Sequence, residues 1–188
     1  ISPRDWSSDV CSSDLAARIL RVVVGDTAAP ALGAMLRDAR TADLALFVIE
    51  RLPGPAGEKA LVDALKPARG ALKTGLVAAL GERRSPTALP ALVPLLAQPA
   101  LAEAAASAIG RIGGAGAVAA LTPALGTATG PFKPAVAAAL LAAADGLVAA
   151  KDLDGAVQAY KRVSADRSLP ESVREAAFIG EIDAAEEG

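Results

Sequence analysis

A pattern that returns at a near-fixed interval limits the fold of this chain more than any other feature. The marker Ala-Leu-x-x-x-Leu occurs as ALGAML from Ala31, ALVDAL from Ala60, ALVPLL from Ala91 and ALTPAL from Ala120. Its first Leu falls at 32, 61, 92 and 121, so the steps are 29, 31 and 29 residues. A large aliphatic keeps step with it, because Leu20, Ile49, Leu80 and Ile109 each stand 12 residues earlier. A period of this length holds two helices and a turn, and a helix pair buries its apolar face only by stacking on a neighbouring pair. The pattern therefore predicts an all-α chain built from stacked antiparallel helix pairs, an α-solenoid.

Breaks between the apolar runs set the expected helices. Leu20, Val23 and Val24 end a first helix at Gly25, where Gly accepts the left-handed conformation that closes a helix. Asp26 or Thr27 is placed to cap the next helix, and Thr41 to cap a helix over Ala42–Leu52. Pro53-Gly54-Pro55 separates that repeat from the next. Further helices are expected at about Glu58–Lys66, Gly70–Gly81, Thr87–Ala97, Leu101–Ile112, Ala117–Leu125 and Pro134–Ala150. Pro94 and Pro123 hold the same place in two successive markers, which predicts a shared kink.

The first fifteen residues differ from the rest: they are rich in Ser and Asp, lack apolar periodicity and hold the only Trp and the only Cys. Asp5–Leu15, DWSSDVCSSDL, resembles the translation of a widely used short-read sequencing adapter, so residues 1–15 are expected to be a leader foreign to the fold. The formal charge of −2 arises in this segment, and the remainder is neutral. A neutral body lacks the basic footprint that nucleic acid or an anionic membrane requires. The chain has no histidine, which removes the commonest general base and the commonest metal ligand. Without one, Cys11 is a poor nucleophile. No catalytic residue, cofactor or metal is expected.

The repeat opening at Ser85-Pro86-x-Ala88-Leu89-Pro90-Ala91-Leu92 and closing at Ala108-Ile109-Gly110-Arg111-Ile112-Gly113 resembles HEAT repeats, in the short form of phycobilisome lyase-like repeat proteins. The resemblance covers roughly Ala16 to Ala128. It implies a right-handed superhelical stack of about four pairs over residues 16–130. It further implies a non-catalytic role in protein–protein interaction or scaffolding, within a larger protein. Two alternatives are an accessory subunit assisting an enzyme or chromophore attachment, and a structural spacer. Such repeats often carry an Asp–Arg ladder between neighbours; here Lys73 alone is basic near the Arg position, so apolar burial is expected to hold the stack. Residues 131–188, with Lys151-Asp152 at a turn and Ala156, Ala159 and Tyr160 on the following helix, resemble a tetratricopeptide-type helical hairpin.

Three constellations read as structure when weighed against their chemistry. Gly110-x-x-Gly113-Gly114-x-Gly116 suggests a phosphate loop, but that requires a preceding strand, and AAASAIGRIG has helical period. The pairs Asp152/Asp154, Glu171/Glu175 and Glu186/Glu187 read as solvated helix surface. The Ala-rich run Pro134–Ala150 is short for a bilayer span, contains Asp145, and reads as a buried helix.

One surface stands out on helical geometry. In the helix from Thr41, the residues Ala45, Val48, Ile49 and Leu52 form one stripe, while Asp43, Phe47 and Glu50 point the other way. Phe47 is thus expected to be partly exposed between two acids, either as a lone surface aromatic or one covered by the N-terminal helix, or as an anchor on a groove lined by second helices. Thr74 and Glu103 complete the candidate protein-binding set. Large aliphatics such as Leu44, Leu61 and Leu76 are dense before Leu96, whereas the stretch 97–116 is mostly Ala. A buried Leu contributes far more transfer free energy than Ala, so the helix Leu101–Ile112 is expected to be the weak point.

Overall fold

The computed structural model of the chain describes residues 25–187, apart from Ala39 and Pro53. The leader 1–15 with Cys11, the helix expected to end at Gly25 with Leu20, Val23 and Val24, and Pro53 of the first break lie outside the described residues. Every regular element among the described residues is helical, and none is a strand. The fold class is all-α, of the α-solenoid type. Residues 1–79 and 80–188 form two compact units.

In the first unit a 3-10 turn, Gly25–Ala28, leads into α1 (Ala29–Met35), followed by α2 (Ala42–Glu50) and α3 (Pro55–Leu65). The helix α4 (Gly70–Glu82) begins here. Contacts of α1 with α2 and α3 build the core, and Leu36, Ile49, Leu52, Leu61, Leu76 and Val77 are its largest enclosed side chains. Leu44, expected among the core aliphatics, is instead exposed. Helical phase explains this, because Leu44 lies on the flank of the stripe, 40° from Val48 but 100° from Ala45 and 140° from Ile49.

One capping expectation is corrected and another is shifted in place. The N-cap position of α1 is Ala28, because the 3-10 turn Gly25–Ala28, which includes Asp26 and Thr27, has already begun the coil. Thr41 is at the N-cap of α2 but in helical backbone conformation, so its hydroxyl does not reach the free N–H groups. It donates instead to the carbonyl of Met35 at 2.9 Å, closing the turn between α1 and α2.

The second unit continues from Leu80 through α5 (Leu89–Leu92), α6 (Ala102–Ile112), α7 (Gly114–Thr127), α8 (Phe132–Ala149), α9 (Leu153–Ser164) and α10 (Glu171–Glu186). The helix expected over Thr87–Ala97 is broken into a 3-10 turn at Pro86–Ala88, α5, and a second 3-10 stretch at Val93–Ala97. Pro94 and Pro123 therefore share a place in the marker but not a conformation, since Pro123 sits inside the continuous helix α7. The cause is the spacing Pro86, Pro90, Pro94, which removes an amide donor from each successive turn. A 3-10 ladder is the tighter alternative.

Small residues hold this unit together. A Cβ on Gly81 would lie 2.7 Å from Ala108 Cα, and one on Gly110 would lie 2.7 Å from the carbonyl oxygen of Ala139. Both distances are below van der Waals contact, so the backbones touch where the side chain is a single hydrogen. Helix α6 buries Ala102, Ala105, Ala106, Ala108, Ile109 and Gly110, and packs on α8. Helix α8 also packs on α7 and α9; its Lys133 pairs with Asp166 at 2.8 Å, and its Asp145 accepts from the Tyr160 hydroxyl at 2.5 Å. It is long and apolar enough to cross a bilayer by composition, yet Val136, Ala137, Leu140, Ala143 and Ala144 are enclosed by these neighbours. An Arg111–Glu82 ion pair links residues 29 apart, one repeat step, through two exposed side chains.

Candidate protein-interaction surface

Helix α2 exists because its apolar residues recur at three- and four-residue spacing, which places Ala45, Val48 and Ile49 on one buried side. Burying that side leaves the opposite one free. Phe47 is 39% exposed and Leu44 44%, and the two lie three residues apart, so they are neighbours on the helix surface. Asp43 is exposed one turn before Phe47, and Glu50 is half-buried one turn after it. The ring is not bare. The Arg51 guanidinium stands 4.9 Å from its centroid and also lies 3.8 Å from the Glu50 carboxylate. A cation held over an aromatic face adds a modest attraction and pre-positions a charge beside an apolar anchor.

Of the other two candidates, Thr74 is exposed on α4, beside Gly75. A Cβ on Gly75 would lie 2.7 Å from Leu46 Cδ2, so α4 approaches α2 closely there. Glu103 is exposed in the first turn of α6, in the second unit, and lines a groove with Leu96, Pro99, Thr127, Pro131 and Phe132. Asp43, Phe47 and Glu50 thus share one helix face. Thr74 and Glu103 sit on other helices.

The remaining constellations take structural places. Gly113, with φ of 72°, is the turn between α6 and α7, and the element before it is a helix and not the strand that a dinucleotide loop needs. Asp152 caps α9 by accepting from the Gly155 amide at 3.1 Å. Asp166 is held well below the usual carboxylate range, at about 2, chiefly by Lys133 and by the Ser168 hydroxyl. Burial, then the bond to Asp145, pushes the Tyr160 phenol up.

Sequence reasoning missed a second surface, on α10. Phe178 is 57% exposed, Ile179 59% and Ile182 42%. A signal was present: α10 carries Ala177 and Ala184 on one side and these three on the other, so it is apolar in two directions.

No curated protein matches the chain. The family model described as HEAT repeats matches residues 58–142, from α3 into α8, and that stretch is accordingly read as HEAT repeats.

Proposed function

We propose that the chain is a non-catalytic module for protein–protein interaction or scaffolding. HEAT repeats are commonly such modules, and the family is generally non-enzymatic. The observation that carries the reading for this chain is the apolar pair Leu44 and Phe47 left on the surface of α2, Phe47 opposite its buried stripe and Leu44 on the flank. Large exposed apolar side chains beside fixed charges are the usual anchors of a protein interface. In this reading Asp43 and Glu50 select a partner carrying positive charge, Thr74 adds a polar contact from α4, and Glu103 offers a separate polar contact on the second unit. Residues 16–130 supply the HEAT-like repeats and residues 131–188 a tetratricopeptide-like hairpin.

The test is Phe47→Ala in a pull-down from the source lysate, quantified against the parent chain. The main partner is expected to be lost while the helical circular dichroism and thermal midpoint stay unchanged. A variant that keeps its partner, or that unfolds early, rejects the anchor. Incubation with a tetrapyrrole separates the accessory-subunit reading, since specific uptake would shift the pigment's absorption.

A further inference from the structure

Helix α10 has two apolar faces, and the described residues cover one. Its Gly180 meets Tyr160 so closely that a Cβ there would lie 2.7 Å from the ring. Ala177 and Ala184 are buried on that side. On the other, Phe178, Ile179 and Ile182 stand mostly exposed. At 100° per residue Ile182 lies 40° from Phe178 and Ile179 lies 100° from it, so the three form one patch. The neighbouring helix α9 shows that two-sidedness is not general to this hairpin. It buries Ala156, Ala159, Tyr160 and Val163, and turns Asp154, Lys161 and Arg162 outward.

Charge defines what such a patch accepts. Glu171, Glu175, Asp183 and Glu186 are exposed on the same helix, and none has an ion-pair partner among the described residues. Arg174 is the only basic residue of α10; it is half-buried, with its Nε enclosed and lacking an acceptor. Beside the patch a groove of about 570 Å³ runs between the end of α9 and α10, lined by Ala165, Arg174, Glu175, Phe178 and Ile179.

We propose that this face of α10 docks an amphipathic α-helix of another protein, with an apolar stripe flanked by Lys or Arg. An apolar ridge along one helix, next to a groove, is the surface on which a second helix seats its i, i+3, i+4 side chains. The four carboxylates favour basic flanks and oppose a second copy of this same face, which would set like charges together. The site lies on a different helix from Phe47, so it extends the interaction reading without resting on it.

A displayed library of helix-forming peptides of about 18 residues, five turns, with randomised faces, tests this on the full chain. The Phe178→Ser/Ile179→Ser variant serves as counter-target; both residues are exposed, and an unchanged thermal melt verifies its fold. The selected peptides are expected to carry an apolar stripe with Lys or Arg flanks, and to bind the variant at least ~10-fold more weakly. Their binding should weaken as salt rises. Glu171→Lys/Glu175→Lys should switch the selection toward acidic flanks. Failure to select any helix, selection of neutral or acidic flanks by the parent chain, or equal binding to the Ser variant overturns the proposal. So does sedimentation equilibrium showing a dimer that the Ser variant abolishes, since the occupant would then be a second copy.

Discussion

The two units solve one packing problem with different side chains. In residues 29–79 the core is filled by large aliphatics, Leu36, Ile49, Leu52, Leu61 and Leu76. In residues 80–149 the helices are brought together by Gly81 against Ala108 and Gly110 against Ala139, with Ile109 and Leu140 between Ala-rich turns. The repeat register makes the contrast direct. Ile49, Leu80 and Ile109 are equivalent, and the residues that follow them are Glu50, Gly81 and Gly110. Where the first unit has a half-buried carboxylate at that place, the second has a hydrogen atom and a neighbouring backbone. Closely approaching helices gain dispersion contacts that small side chains alone would not supply. An Ala-rich helix packed this closely is expected to lose tolerance toward larger side chains.

The comparison breaks first at the large aliphatics. Ile49→Ala removes a fully enclosed side chain in the first unit and is expected to cost about 2–5 kcal/mol in denaturant unfolding. Ala105→Gly in α6, which removes the single enclosed methyl typical of the second unit, should cost only about 1 kcal/mol, mostly through helix propensity. Equal losses would remove the distinction.

A polar tie sharpens the account within the second unit. Tyr160→Phe takes the hydroxyl from Asp145 and is expected to cost about 1–2 kcal/mol at neutral pH. The pH dependence has a definite sign. The folded phenol titrates above its ordinary value near 10, so its contribution is complete below that pH. As pH rises further the unfolded chain releases the proton first, and stability falls. Unfolding curves across this alkaline range should show the fall in the parent and not in the Phe variant.

The smallest effect belongs to the ion pair that bridges one repeat step. Both Arg111 and Glu82 are about half exposed, so Arg111→Ala should shift stability by less than about 1 kcal/mol, and the parent pair should weaken in salt. A larger loss would mean that a charge ladder, and not the glycine contacts, holds these helices.

What was legible in the sequence is what depends on local periodicity. The 29- to 31-residue period, the stripe of Ala45, Val48 and Ile49, the exposure of Phe47 and the turn at Gly113 all follow from spacing along one helix or at its end. What was missed depends on neighbours. The cation over Phe47 comes from Arg51, four residues further on and on the same side of the coil, a pairing that spacing allows but that the acidic face did not suggest. The second apolar face of α10 needed a view of which side α9 covers. The broken helix at Pro86, Pro90 and Pro94 was written in the sequence, but its 3-10 outcome reflects a competition between two ladders that spacing does not decide. Gly110 falls inside the expected helix Leu101–Ile112, but its contact with Ala139 depends on a neighbouring helix.

The central claim, that backbone contact at glycine holds the second unit, is tested most directly by two Gly→Ala substitutions measured side by side. Both positions are helical, so the propensity gain of up to about 1 kcal/mol acts on each in the same direction. At Gly126 an added Cβ meets nothing within 4 Å, while at Gly110 it meets Ala139 O at 2.7 Å and Ala139 Cα at 2.9 Å. Denaturant unfolding should therefore show Gly126→Ala slightly stabilised and Gly110→Ala destabilised by about 1–3 kcal/mol, as overpacking requires. Stabilisation of both by a similar amount would contradict the account.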